Sequence, residues 1–279
     1  MCLDLLRQNT GFNWPRDLRV SSPPILDNKH PDAPTVFEPS ALLREARRQK
    51  GLPNVDVPPL CVLDPDGDIV RLLRSSGLAR PVETWPCYHT DLYGFAVADR
   101  TCGIVGCAVG APFAVLVAEE LFASGCRFLI SVTSAGQIVP AGAPPYFVVI
   151  DRALRDEGTS YHYAAPAAFA QADPKLIATA MRALKEAGIP AHIGPSWTTD
   201  APFRETAAAI ASARAQGVLA VEMEAAALYA FARTRNKPVL CLAQVTNTMG
   251  LAGQDFEKGE AQGAEHALMM LEALAGNLQ

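Results

Sequence analysis

The chain gathers its chemistry-bearing side chains in short runs, each directly after a stretch that reads as a β-strand. In Asp64-Pro-Asp-Gly-Asp-Ile-Val-Arg71 a glycine turn opens into a helix, where backbone N–H groups and Arg71 can hold an anion. Val109-Gly-Ala-Pro112 puts proline at a helix start, where its missing N–H costs nothing, and Gly110 allows close backbone approach. Thr133-Ser-Ala-Gly136 offers hydroxyl and backbone donors, chiefly Ser134 with Ala135 and Gly136. The run Arg155–Tyr163 packs charged, hydroxyl, phenol and imidazole groups around Gly158, with His162 the candidate proton carrier. Trp197–Glu205 adds an aromatic, Phe203, a cation, Arg204, and the carboxylates Asp200 and Glu205. Val221-Glu-Met-Glu224 sets two acids around a methionine in apolar surroundings, which is costly unless they bind something. Asn247, after the last strand, can both donate to and accept from a heterocycle edge.

Each run also has a purely structural reading. The first is an ordinary acidic strand–helix turn, Asp200 before Pro202 is a helix N-cap, and Glu222 and Glu224 favour a helix N-terminus. No G-x-G-x-x-G, Walker loop or G-x-S-x-G elbow is present. The seven cysteines are spread out with no Cys-x-x-Cys pair, so neither a disulfide framework nor a metal site is expected.

These runs need a scaffold, and the remaining pattern supplies one. Of 279 residues 49% are hydrophobic and 19% charged, enough for a large core and incompatible with a disordered or coiled-coil chain. A net charge of −5 gives no reason to expect nucleic acid or a membrane as partner. No apolar run is long enough to span a bilayer, and the first residues lack a secretory pattern, so a cytoplasmic location is expected. Residues 1–59 read as a Pro-rich N-terminal arm with one short helix over 41–50, a natural subunit contact. Residues 60–279 read as one α/β domain. In it, apolar strands at 60–63, 93–98, 103–108, 128–132, 146–150, 192–197 and 239–245 alternate with helices at 112–122, 174–187, 205–215, 221–235 and 257–274. That alternation predicts a central mixed β-sheet flanked by helices, with ligands beyond the strand ends.

In this order the runs resemble the nucleoside phosphorylase/nucleosidase superfamily, which includes uridine phosphorylase, hexameric purine nucleoside phosphorylase and methylthioadenosine nucleosidase. The most specific match is Val-Glu-Met-Glu-Ala at 221–225. The resemblance implies that Met223 packs under the sugar and Glu224 grips the ribose 2′-hydroxyl, with Glu222 beside them. Gly67-Asp68 and Arg71 look like the phosphate loop, Val109–Pro112 the Gly-Gly-Pro turn, and Ser134 the hydroxyl contacting phosphate and sugar. Ala135, Gly136, Asp200 and Phe203 would line the base. The runs 155–163 and 197–205 are closer still to a sparsely characterised subgroup of phosphorylases.

Three departures stand out. Ser131 occupies the place of a phosphate-binding arginine, no arginine lies in register near Tyr88–His89, and Asn247 stands where purine enzymes carry an aspartate. The resemblance implies phosphorolysis of a purine or pyrimidine nucleoside, with phosphate as co-substrate and no cofactor. Asn247, Arg204 and His162 would then stabilise the departing base, in a homodimer or homohexamer. Hydrolysis in the same site, suggested by Ser131, and a non-catalytic nucleoside-binding protein are the alternatives.

Overall fold

Runs of Val, Ile, Leu and Cys with both faces covered become the central strands of the structure, a computed structural model that describes residues 23–246 and 263–277. In chain order the elements are α1 (Pro39–Lys50), β1 (Leu60–Asp64), α2 (Asp68–Ser75), β2 (Ala79–Pro81), β3 (Tyr93–Val97), β4 (Arg100–Gly106), α3 (Ala111–Ala123) and β5 (Phe128–Ser134). Then follow β6 (Gly136–Gln137), β7 (Tyr146–Asp156), α4 (Ser160–Tyr163), β8 (Phe169–Gln171), α5 (Pro174–Glu186), β9 (Ala191–Thr199), α6 (Ala207–Ala215), β10 (Ala220–Glu222), α7 (Ala225–Arg235), β11 (Val239–Val245) and α8 (Ala264–Ala275).

The strands form one mixed sheet in the order β2-β3-β4-β1-β5-β11-β7-β9-β10-β6, with β8 on the flank of β7. β4, β1, β5 and β11 run parallel, and β7 turns the direction by pairing antiparallel with β11. β1 and β11 are buried along their whole length, as two covered faces require. On one face Ile69 and Leu73 of α2, Ile177 and Leu184 of α5, and Met270 and Leu274 of α8 share a core. On the other, α3 and α7 pack together over the sheet, and Leu43 and Ala46 of α1 are fully buried in contact with α3. Tyr229 of α7 ties two strands from that side. Its hydroxyl donates to the Ile150 carbonyl at 2.6 Å and accepts the Cys241 N–H at 3.1 Å.

One connection decides where the site lies. β6 follows β5 after a single residue and pairs antiparallel with β10, setting Val221 opposite Gly136. The turn after β10 therefore arrives at the end of β5, although β10 belongs to the set of strands beyond β7.

The α/β reading and the positions of the long strands agree with the sequence pattern, but three expectations change. Residues 221–235 are not one helix: Ala220–Glu222 is a strand, and α7 begins at Ala225. The helix expected from 205 begins at Ala207, after a 3-10 turn at Pro202–Arg204. The strand expected over 146–150 continues to Asp156, past an irregularity between Ile150 and Ala153. The expected start of the last helix, at 257, lies outside the described residues.

Candidate active site at the ends of the parallel strands

The site begins with two glycines whose backbone no other residue adopts without strain. Gly110, at φ 89°, precedes α3 and donates its N–H to Glu224 Oε1 at 2.7 Å. Gly67, at φ 75°, starts α2, and a Cβ there would lie 2.6 Å from the Cys107 sulfur. Asp64, at the end of β1, fixes that turn. Its Oδ1 accepts from Gly67 N–H at 3.1 Å and its Oδ2 from Val70 N–H at 2.9 Å. Burial raises the Asp64 carboxyl to about 7.

The two acids of the 221–225 run have different fates. Glu222 Oε1 accepts from the Ser196 hydroxyl at 2.9 Å and the Thr198 hydroxyl at 2.5 Å. Its Oε2 accepts the N–H groups of Glu224 and Ala225, both at 2.7 Å. Burial pushes its carboxyl up and these donors work against that. Glu222 thus folds the turn, and its carboxyl has no capacity left for a sugar, contrary to the expectation from sequence. Glu224 keeps one free oxygen: Oε2 is buried without a hydrogen-bond partner among the described residues. Burial, then the charges of Glu222 and Asp66, raise it to about 8, against the pull of the Gly110 N–H and the Thr133 hydroxyl.

These groups line a cavity of about 200 Å³ with Pro65, Asp66, Val109, Thr133, Ser134, Gly136, Pro202, Glu205, Val221 and Met223. No Lys, Arg or His lines it among the described residues. Asp66 is the residue that sequence reasoning passed over: its Oδ2 accepts the Ser134 N–H at 2.8 Å. Arg71 donates to the Asp66 carbonyl at 2.9 Å and pairs with the Asp68 carboxylate. Of the donors expected for phosphate, Ser134 lines the cavity, whereas Gly67 and Arg71 do not: Gly67 donates to Asp64 and Arg71 to Asp66 and Asp68. A second space of about 10 Å³, lined by Asp64, Asp66, Asp68, Thr133, Ser134 and Gln244, adjoins the cavity. Ser131, one strand turn earlier, is buried.

The other expected residues divide. Met223 and Gly136 line the cavity, and Ala135 is buried beside it, its N–H donating to the Gln244 carbonyl. Phe203 and Arg204 do not line it. The 3-10 turn aims Pro202 and Glu205 inward and leaves Phe203 99% exposed and Arg204 exposed. His162 and Asp200 lie in a different, larger groove of about 640 Å³ between α1, α3 and α4, where Asp200 accepts the Gly158 N–H at 2.8 Å. Local polarity marked these residues, but the direction of α4 and of the 199–201 turn carries them away from Glu224. Asn247 lies outside the described residues. Among the described residues no helix is long and apolar enough to cross a membrane.

The chain is similar to known proteins. The profile of the Phosphorylase superfamily matches residues 59–275. A uridine phosphorylase of Thermococcus kodakarensis is 30% identical over 205 residues, 66% of this chain and 70% of that protein. A DeoD-type purine nucleoside phosphorylase of Exiguobacterium sibiricum is 29% identical over 61% of this chain and 74% of that protein. Among solved structures, the 5'-methylthioadenosine/S-adenosyl homocysteine nucleosidase of Campylobacter jejuni superposes with a TM-score of 0.61. It is 20% identical, covers 77% of this chain and 99% of its own, and shares the fold. With most of its length matched by that profile, this protein belongs to the phosphorylase superfamily.

Proposed function

We propose that the chain cleaves the N-glycosidic bond of a nucleoside, with phosphate as the attacking group. The observation that carries the proposal is Glu224: a buried carboxyl held by Gly110 N–H, one oxygen free, at a cavity floored by Met223. A free carboxylate oxygen in a dry wall needs a donor from the ligand, and a ribose hydroxyl supplies one. The acidic lining suits the hydroxyl donors of a sugar. Positioning the sugar in this way, over an anion beneath C1′, favours the oxocarbenium-like transition state of glycosidic cleavage.

Phosphate is supported by the Ser134 N–H at the cavity and by the activities named for the two sequence relatives. The Ser134 N–H, which donates to the Asp66 carboxylate, is the donor that phosphate would take over from Asp66. A homo-oligomer fits the exposed Phe203 and Val109, apolar side chains at or next to the cavity. A second reading, hydrolysis, is favoured by the same Asp66. Its carboxylate faces a space with room for about one water, and the arginine position is filled by buried Ser131.

The test is release of free base from a nucleoside panel with and without phosphate. Phosphate-dependent release upholds the first reading and phosphate-independent release the second. A pure protein that releases no base from any nucleoside overturns both.

A further inference from the structure

We infer that the groove between α1, α3 and α4 is a second binding site, one for a small organic cation of the amidine or guanidine class on an apolar body, with Glu120 receiving the charged head. The inference is independent of the nucleoside reading, because the groove and the Glu224 cavity share no lining residue.

Pro112, Val115, Leu116, Glu119 and Glu120 of α3 line the groove as one helix stripe, at i, i+3, i+4, i+7 and i+8. The stripe ends in two acids with different fates. Glu119 Oε1 accepts from the Tyr163 hydroxyl at 3.1 Å and from Arg235 Nε at 3.0 Å, so its charge is paired. Glu120 is only 2% exposed, and neither of its oxygens has a hydrogen-bond partner among the described residues. Lys50, whose charge reaches Glu120, spends its ammonium on the Cys87 carbonyl at 2.5 Å. Burial pushes the Glu120 carboxyl up, and the weak thiol donor of Cys87 with the charges of His89 and Lys50 offsets only part of that. A carboxylate buried with both oxygens unpaired is costly unless a ligand brings donors and charge to it.

The two free oxygens select the ligand's head. An amidinium or guanidinium is planar and presents two parallel N–H groups, one for each oxygen, together with the charge that neutralises them. An ammonium is a point donor, and a carboxamide brings no charge. The walls select the body. Phe37, Leu42, Val115 and Leu116 border a space of about 640 Å³, the size of a small-molecule site. The remaining charges favour a cation. Arg235 is paired with Glu119, burial holds the His162 imidazole below its ordinary value and so neutral, and Asp200 adds an exposed carboxylate.

The experiment measures binding of benzamidine, benzylamine and benzamide by calorimetry, to wild-type protein and to Glu120→Gln, with thermal melts to confirm that the variant is folded. The three probes share one ring and differ in the head: a planar two-donor cation, a point cation and a neutral amide. Wild type is expected to bind benzamidine most tightly and benzylamine next, and benzamide roughly 10- to 100-fold more weakly than benzamidine. Glu120→Gln lowers benzamidine affinity by a similar factor and leaves benzamide unchanged. Benzamidine should raise the Tm of wild type and not that of the variant. No benzamidine binding to wild type, benzamide binding as tight as benzamidine, or benzamidine binding that survives Glu120→Gln overturns the inference. The benzamide comparison is made on wild type alone, so it decides the matter even where the variant does not fold. A wild-type oligomer that takes up no benzamidine and dissociates in Glu120→Gln also overturns it, and gives the groove to a side chain of a second copy of the chain.

Discussion

Replacing Glu224 by Gln tests the site through stability and activity together. In the folded protein burial and the Glu222 and Asp66 charges hold this carboxyl near 8 rather than 4.5. That displacement corresponds to at most roughly 5 kcal/mol against the charged form. The folded state therefore binds more protons than the unfolded state between pH 4.5 and 8. Glu224's contribution is fully retained below pH 4.5 and is lost as pH rises through about 8. Glutamine keeps an oxygen for the Gly110 N–H, removes the charge, and buries an amide N–H₂ where Oε2 lacked a partner, at a pH-independent cost of about 1–3 kcal/mol. Glu224→Gln should thus be less stable than wild type at pH 5 and should lose that deficit, or reverse it, at pH 9. Denaturant melts at both pH values read the difference. The ionised form is also the better acceptor for a sugar hydroxyl, so wild-type kcat/KM should climb with pH toward an apparent pKa near 8. The variant should lose that limb and roughly 10- to 150-fold in kcat/KM at pH 9. An equal stability deficit at pH 5 and pH 9, together with an unchanged kcat/KM profile in the variant, would refute the assignment.

Three further outcomes follow from named contacts. Asp66→Asn weakens the internal competitor for the Ser134 N–H, so the KM for phosphate should fall about 10-fold in a phosphorylase, whereas phosphate-independent base release should fall in a hydrolase; phosphate titrations of both proteins separate these cases. Gly67→Ala forces an alanine to φ 75° with its Cβ against the Cys107 sulfur, and should cost about 1–3 kcal/mol and blunt activity through the start of α2, read by melts and turnover. Tyr229→Phe removes the hydroxyl between Ile150 and Cys241 and should cost about 1–3 kcal/mol in denaturant melts, with KM for the nucleoside unchanged.

The sheet was legible because its central strands are buried on both faces. Such strands read as unbroken apolar runs, as at Leu60–Leu63 and Val239–Val245, and the helices between them carry ordinary start signals such as Asp173 before Pro174. β10 was not legible. Its three residues run into Ala-rich sequence with helical composition, and what makes Ala220–Glu222 a strand is pairing with Ser196–Thr198 and Gly136–Gln137, far away in the chain. Tertiary pairing here overrides local propensity.

The site follows the same logic at the level of single side chains. Residue type and spacing pointed to Glu224, Met223, Gly110 and Ser134, which the structure brings to one cavity, because a backbone conformation or a strand end constrains each of them. They could not distinguish Glu222 from Glu224. Both are buried acids two residues apart, and only the four donors arriving from β9 and the turn consume one and spare the other. Asp66 was missed for the converse reason. In a sequence an acid in a turn looks solvated, while His162, Phe203 and Arg204 look like chemistry. Asp66 faces the cavity from the β1–α2 turn, while the α4 turn and the 3-10 turn at Pro202–Arg204 aim His162, Phe203 and Arg204 away from it. Among the described residues the cavity's one buried polar atom without a partner is Glu224 Oε2. That free oxygen is the feature on which the proposed sugar contact rests.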